Sequence, residues 1–308
     1  LPGENFNTVL YSGDDAASHA ITGVGFQPEF NWLKVRTNNG GLGLQSHSLQ
    51  DVVRGVQRQL SSDSTHAEWT ESDYVLSFDS DGFTVGSSTA VNDTGNNYVA
   101  WNWKAGGAAV SNTDGDDDTM GVMVSANTAA GFSIVKYTGT GSTATIGHGL
   151  AETPNYISVK NLTDTYNWFM GSGLLTNAWS DWMHWNKTDG DGTNSTDTWN
   201  GQAPDNDVFT VDSTANSNGT GKEYVAYCWH SVEGYSKVGS FEGNYNVDGV
   251  FIYLGFKPAF FMWKRAAGSG GDDGGWVMKD NKRPLYGNVV DDQVYANSTG
   301  IEDQGNNI

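Results

Sequence analysis

The sequence has few cationic residues, a single cysteine and no long apolar segment. Sixteen Lys and Arg stand against 36 Asp and Glu, which gives a formal net charge of −20 at pH 7. A surface of that sign repels phosphate groups, so we expect no nucleic acid partner. One cysteine in 308 residues excludes an intrachain disulfide framework. No apolar run approaches the roughly 20 residues of a membrane-spanning helix, so no membrane insertion is expected.

Glycine and aromatic residues are abundant instead. The chain has 40 Gly, and 12% of its residues are Phe, Trp or Tyr. Asn, Asp, Ser and Thr fill the gaps between short apolar runs, which is the composition of an all-β protein with many turns. Disordered chains are poor in aromatic residues, so the chain is expected to fold. We predict tandem antiparallel β-sandwich units, lectin-like or jelly-roll-like, arranged in a row.

One strand pattern occurs twice, at residues 95–103 and 221–229. Both copies read Gly-x-x-Tyr-Val-Ala-aromatic-x-Trp, and we call this pattern the closing motif. Alternating Val and aromatic residues after a Gly turn predict a half-buried strand. Its repetition predicts a chain built from copies of one unit. The same spacing relates Pro28 to Pro154, Phe30 to Tyr156, and Lys34 to Lys160.

Part of a third copy follows, in which Pro258 and Lys264 continue the series. The predicted organisation is unit 1 (residues 1–107), an acidic linker or loop (108–131), unit 2 (132–233) and an incomplete unit 3 (234–308). Unit 3 contains no closing motif, which would leave a sheet with an unpaired edge. We expect either that the natural chain continues beyond Ile308 or that a strand from a neighbouring subunit completes the unit. Because the sequence does not begin with Met, we also expect that its natural N-terminus lies upstream.

The stretch at residues 47–60 is the best helical candidate in unit 1. Its apolar spacing is weak, so we predict no more than a short helix or an irregular loop there.

An acidic run offers a candidate calcium site. Asp114, Asp116 and Asp118 alternate as the first three ligands of a calcium loop do. The match then fails, because Thr119 stands where the tight-turn Gly belongs and no Glu lies seven residues beyond Asp118. Calcium binding and a solvated acidic loop both remain open, and no other cofactor is predicted.

No residue pattern specifies catalysis. The six histidines lack zinc-site spacing, and neither a nucleophile elbow nor a phosphate-binding loop is present. Cys228 lies inside the second closing motif, where we expect a buried packing residue. His230 would share its face of the strand, but a nucleophile role for Cys228 is weakly supported. We therefore predict a protein that is not an enzyme.

A tryptophan-rich segment is the best candidate ligand site. Exposed indole rings stack on the apolar face of a sugar, and neighbouring polar groups bind its hydroxyls. The alternative is that these rings fill a core or pack against another subunit. The candidate residues are Trp179, Asp181, Trp182, Trp185 and Trp199.

Four segments carry a family resemblance: residues 5–13, 23–29, 77–83 and 98–107. They resemble a repeat domain of uncharacterised tail-fibre and appendage proteins of marine tailed bacteriophages, including cyanophages. Residues 225–239 and 255–259 are similar to the later part of the same architecture. The shared motifs are structural, so no catalytic residues follow from the resemblance. It implies an extracellular protein of the virion surface, trimeric as tail fibres commonly are, with other virion proteins and a host receptor as partners.

Three function classes follow. The first is non-catalytic adhesion to the host envelope, through a surface glycan or another receptor. The second is structural, either a capsid-decorating protein or the subunit of an extracellular filament whose unit 3 is completed between subunits. The third is a polysaccharide-degrading tailspike, which would usually need a parallel β-helix and a carboxylate pair in a groove. The sequence indicates neither feature.

Overall fold

The computed structural model of the chain describes residues 2–39, 41, 43–116, 118–192, 195–246, 248–266, 274–283 and 292–304. The paired strands in these ranges run antiparallel, and the all-β sandwich prediction is confirmed. The helices that they contain are short: α1 (Thr89–Asn92) and three 3-10 helices at Pro2–Glu4, Asp118–Met120 and Ala178–Ser180.

Unit 1 is a sandwich of two sheets. Its strands are β1 (Phe6–Ser12), β2 (His19–Thr22), β3 (Phe30–Val35), β4 (Ser48–Asp51), β5 (Arg58–Gln59), β6 (Trp69–Thr70), β7 (Val75–Asp79), β8 (Gly82–Val85) and β9 (Asn97–Trp103). A sheet of order β1-β9-β3-β4 packs on a sheet of order β2-β8-β7. Leu33, Phe83 and Ala100 are fully buried between them. The first closing motif forms β9, which pairs with both β1 and β3.

Unit 2 has a similar strand arrangement with an enlarged sheet. Its strands are β10 (Val110–Ser111), β11 (Met123–Asn127), β12 (Phe132–Thr138), β13 (Ala144–Gly147), β14 (Tyr156–Asn161), β15 (Phe169–Gly171), β16 (Val208–Val211) and β17 (Glu223–Trp229). The large sheet has the order β10-β11-β12-β17-β14-β15, and β13 pairs with β16. The second closing motif forms β17, between β12 and β14. Both motifs therefore form central strands.

Two sequence predictions are wrong at this level. Residues 108–131 are not a free linker, because β10 and β11 extend the sheet of unit 2. Met120 and Val122 are buried in that unit's core, so sparse apolar residues within a polar run anchor the segment. Residues 47–60 are not helical either. They contain β4, a turn and β5, and all four residues of β4 are buried, which fits a strand paired on β3.

Unit 3 contains one described sheet of four short strands. These are β18 (Phe260–Trp263), β19 (Val277–Asp280), β20 (Asp292–Tyr295) and β21 (Asp303–Gln304), in that order across the sheet. Strand β18 therefore lies at an edge of the described sheet. Residues 236–242, which precede it, form no strand.

The three units share one aromatic core. Phe30 of unit 1 stacks on Tyr227 of unit 2 with ring centroids 4.5 Å apart. Trp32 lies 5.0 Å from Trp185, again between units 1 and 2. Trp101 of unit 1 lies 5.8 Å from Phe260 of unit 3. The prediction of units in a row is thus wrong: β3 is buried at all six positions because its second face packs against the other units.

The strand registers place corresponding residues at the same positions in each unit. Phe30 pairs with Asp51 and Phe260 with Asp280, while Gly171 pairs with Ile157. Ser172, the next residue after Gly171, therefore stands at the position that Asp51 and Asp280 occupy. The same registers align His47, Trp168 and Trp276.

These three aligned side chains bond the units in a cyclic order. Unit 2 donates from Trp168 Nε1 to Ser61 O of unit 1 at 2.8 Å. Unit 3 donates from Trp276 Nε1 to His184 O of unit 2 at 2.7 Å. Unit 1 closes the circle, with His47 Nε2 3.0 Å from Tyr295 O of unit 3. Each unit thus bonds one neighbour through its aligned side chain and the other through a backbone carbonyl.

Candidate functional site

Three of the predicted glycan-stacking rings are buried. Trp185 lies in the shared core and stacks on Trp168 at 4.7 Å. Trp179 and Trp199 lie in the core of unit 2, edge to face at 5.6 Å. A Cβ at Gly171 would come within 2.7 Å of both indole rings, so Gly171 permits this close packing. The alternative interpretation, that the rings fill a core, describes these three residues.

Trp182 is the predicted ring that keeps partial exposure. It lies beside Phe169, with ring centroids 6.0 Å apart. The preceding carboxylate, Asp181, is buried, and its Oδ2 accepts hydrogen bonds from Asn177 N and Nδ2. Asp181 therefore closes a local turn and is not directed at a ligand. The five predicted residues are close together in the sequence, but the structure does not place them on one surface.

The three predicted calcium ligands do not converge. Asp114 Oδ2 accepts a hydrogen bond from Asn112 Nδ2 at 2.7 Å, and Asp116 Oδ1 accepts one from Thr145 N at 2.9 Å. Asp118 begins a 3-10 helix. Within the described residues, no group of three or more His, Cys, Asp or Glu is placed to hold a metal ion. The acidic run instead contacts β13, and its carboxylates accept hydrogen bonds from protein groups nearby.

Cys228 is a packing residue, as the sequence predicts. It is fully buried in the core of unit 2, and burial raises the pKa of its thiol to about 12. A thiol in this state supplies almost no thiolate, which is the nucleophilic form. His230 Nδ1 lies 3.0 Å from Ser231 O.

Two buried ion pairs, which sequence reasoning missed, join the units. Arg54 Nε donates to Asp51 Oδ2 at 2.5 Å, and neither side chain is exposed. The same carboxylate oxygen accepts the hydroxyl of Tyr227, from unit 2, at 2.7 Å. Burial alone would lower the pKa of Arg54, but Asp51, Tyr227 and Glu68 together outweigh it and raise that pKa. Arg54 therefore stays charged inside the protein.

The second ion pair has the same geometry in unit 3. Arg283 Nε donates to Asp280 Oδ2 at 2.5 Å, and Trp101 Nε1 of unit 1 donates to that oxygen at 3.0 Å. Tyr227 and Trp101 occupy the same place in the two closing motifs. The signal in the sequence was the spacing Asp-x-x-Arg, which occurs at both 51–54 and 280–283.

Three lysines at corresponding positions also link the units. Each ammonium donates to a carbonyl of its own unit and to a carbonyl of another unit. The acceptors are Gln45 and Thr299 for Lys34, Tyr166 and Thr65 for Lys160, and Gly274 and Thr188 for Lys264. Burial lowers the pKa of Lys34 to about 8 and that of Lys160 to about 7. These lysines were landmarks of the repeat in the sequence, and their contacts run in the cyclic order given above.

Glu29 makes unit 1 sensitive to pH. Burial raises the pKa of its carboxyl to about 7 from 4.5, despite a hydrogen bond from Ala105 N. The folded state therefore binds more protons than the unfolded state between these pH values. The resulting stabilisation is complete below pH 4.5 and is lost as the pH rises through 7.

We expect Glu29→Gln to remove this dependence, because the amide keeps the acceptor for Ala105 N without a charge. The unfolding free energy of the wild type should fall relative to the variant by up to about 3 kcal/mol between pH 4.5 and 7, since one pKa unit corresponds to about 1.4 kcal/mol. Urea denaturation of both proteins at the two pH values measures it. An equal difference at both values would contradict the assignment.

Unit 3 exposes an apolar surface where the other units have a core. Phe251 is 91% exposed, whereas Ile21, at the corresponding position of unit 1, is 4% exposed. The large apolar side chains exposed in this region are Phe241, Tyr245, Val250, Phe251, Ile252, Tyr253 and Phe261. Monomeric proteins rarely expose contiguous apolar surface on this scale without a binding role.

A cleft of about 300 Å³ lies between unit 2 and the start of unit 3. Asn155, Ser172, Leu174 and Trp179 of unit 2 line it, with Val238 of unit 3. Ser172 Oγ donates to Asn155 O at 2.8 Å and accepts from Leu174 N at 3.2 Å, which leaves one lone pair of its hydroxyl oxygen for a ligand. The open edge of β18, the exposed apolar residues and this cleft form the candidate site, which we call the unit 3 edge.

The geometry defines an antiparallel β-sandwich protein whose candidate site is a sheet edge. A family model of a domain of unknown function, DUF7483, matches residues 1–308, so the chain belongs to that family. Neither a curated protein nor a solved structure matches it. Among the helices of the described residues, none combines the length and apolar character needed to cross a membrane.

Proposed function

We propose that this protein is a non-catalytic protein of a virion surface or similar extracellular appendage, and that it adheres to the host cell envelope. The observation that carries this is the use of its buried charges. The ion pairs of Arg54 and Arg283, and the ammonium groups of Lys34 and Lys160, all bond one unit to another. The buried polar groups thus hold the units together as a scaffold. The resemblance to tail-fibre repeats supports the same role.

A host glycan is the ligand class that we propose. Trp182 is partly exposed, and a partly exposed indole can stack on the apolar face of a sugar. With a net charge of −20, the protein should prefer neutral or cationic polysaccharides to acidic ones. A homotrimer in contact with other virion proteins is the assembly that we propose.

A glycan array with the purified chain tests the adhesion proposal. We expect binding to at least one host-envelope polysaccharide, and a loss of about tenfold or more for Trp182→Ala, which corresponds to about 1.4 kcal/mol. Trp69→Ala is the matched control, because Trp69 is also half-buried but lies outside the Trp-rich segment. The absence of binding to every glycan on the array, or an equal loss of binding in both variants, would count against the proposal.

A structural role is the second candidate, favoured by the unit 3 edge. In this role the protein decorates a capsid or forms a filament, with contacts between subunits covering the exposed apolar surface. Electron micrographs of the purified protein separate the two candidates. Isolated short fibres are expected for a tail-fibre protein, and continuous helical polymers for a filament subunit.

A further inference from the structure

We propose that the unit 3 edge binds an extended polypeptide strand with the closing motif, inserted antiparallel to β18 and beside residues 236–242. In units 1 and 2 that place is taken by β9 and β17, each of which pairs with a strand on both sides. Among the described residues of unit 3, no strand takes it.

The absence of this strand explains why residues 236–242 form no strand. Their counterpart in unit 1 is β1, and its ladder is made with β9. Ser236 forms only an isolated bridge with Val232, and a segment without its ladder partner lacks the further backbone pairing that would hold it extended. An inserted strand would therefore gain two ladders, one from β18 and one from these residues.

The backbone of β18 is ready for such pairing. Asn281 N donates to Ala259 O, and Phe261 pairs with Lys279. Because hydrogen-bonded positions alternate along an antiparallel strand, the N–H groups of Phe260 and Met262 point to the free edge. Unpaired N–H and C=O groups of this kind are a template for another strand.

The side chains specify the closing motif. By the registers of β9 and β17, an Ala of the incoming strand would face Trp263 and an aromatic residue would face Met262. Tyr227 and Trp101 hold that aromatic position and donate to Asp51 and Asp280. In unit 2 the position that Asp51 and Asp280 occupy in units 1 and 3 belongs to Ser172, which is therefore the corresponding acceptor. It lines the cleft of about 300 Å³, which therefore has the location and the acceptor to take the aromatic ring.

A second copy of the chain does not fit the site with its own closing motifs. Ala100, Trp101, Ala226 and Tyr227 are all fully buried, so donating β9 or β17 would unfold the donor. The occupant that we propose is a partner strand of the same chemistry, alternating and aromatic, and free to extend.

A synthetic peptide with the sequence of residues 221–230 tests the proposal on the whole 308-residue chain. We expect saturable binding, and hydrogen exchange at least about tenfold slower for the amides of Phe260 and Met262. A peptide of the same composition with its alternation broken should not bind. The variant Met262→Pro removes one edge N–H on a strand side that tolerates proline, and should weaken peptide binding at least about tenfold, whereas Met262→Leu should not.

Two outcomes would overturn the proposal. One is the absence of binding, or equal binding of both peptides. The other is protection of the same amides in the chain alone as its concentration rises, which would make a second copy the occupant through edge-to-edge pairing. Neither outcome bears on the glycan array, so the adhesion proposal stands or falls separately.

Discussion

Replacing Arg54 with Met is expected to lower the free energy of unfolding by about 3–5 kcal/mol, because it leaves a buried carboxylate without its countercharge. Arg54 and Asp51 have no exposed side-chain surface. The guanidinium also donates to Leu49 O at 3.0 Å and to Glu68 Oε1 at 3.2 Å. It donates to Arg58 O at 2.9 Å as well, so its removal deprives at least four acceptors of a donor, and Met cannot replace any of these bonds. Chemical denaturation followed by circular dichroism measures the loss.

The double variant Asp51→Asn/Arg54→Met should recover much of this loss. Without the Asp51 carboxylate no fully buried charge remains, because Glu68 is partly exposed and keeps Arg58 as a partner. The Asn oxygen can still accept the hydroxyl of Tyr227 and nearby backbone N–H groups. Arg58→Met is the surface control, because Arg58 is half exposed and its nitrogen lies 3.6 Å from Glu68. Exposed pairs of this kind contribute about 1 kcal/mol or less. If Arg54→Met lowered the free energy of unfolding no more than Arg58→Met does, the buried ion pair would not be needed for stability.

The sequence allowed the strands to be predicted better than their partners. The closing motifs indicated β9 and β17 because alternation and aromatic content are local signals. The packing of three sheets around one core could not be predicted in this way, because alternation shows that a strand has an apolar face but not what covers it. Phe30 and Trp32 were visible as apolar residues, while their contacts with Tyr227 and Trp185 depend on residues far away in the chain.

The candidate site was predicted only in part. The incomplete third copy indicated an unpaired edge, and the exposure of Phe251 and Phe261 is consistent with it. The Trp-rich segment was harder to interpret, because indole rings are equally suited to sugar stacking and to core packing. Asp51 and Arg54 lie three residues apart within a segment predicted to be helical or irregular. Their burial follows from β4 pairing with β3, which sequence periodicity did not show.

Replacing Trp185 with Ala should cost about 3–5 kcal/mol, as for other large buried aromatic residues. The ring is fully buried and lies 5.0 Å from Trp32, 4.7 Å from Trp168 and 6.3 Å from Tyr227. Because Trp32 belongs to unit 1, the loss should not remain within unit 2. We expect one cooperative unfolding transition, seen at the same denaturant concentration by far-ultraviolet circular dichroism and by tryptophan fluorescence, and shifted as a whole.

The coupling between units can be measured directly with Trp32→Ala, Trp185→Ala and the double variant. Side chains in contact give interaction free energies of about 0.5–3 kcal/mol, whereas distant sites are additive within about 0.5 kcal/mol. We expect a coupling in the upper part of that range, because each single variant already opens the same cavity between units 1 and 2. As the control pair, Trp32→Ala with Trp199→Ala should be additive, since Trp199 lies in the separate core of unit 2. Additivity of Trp32 and Trp185, or a second transition in Trp185→Ala that spares unit 1, would mean that the units fold independently and that the shared core contributes little to holding them together.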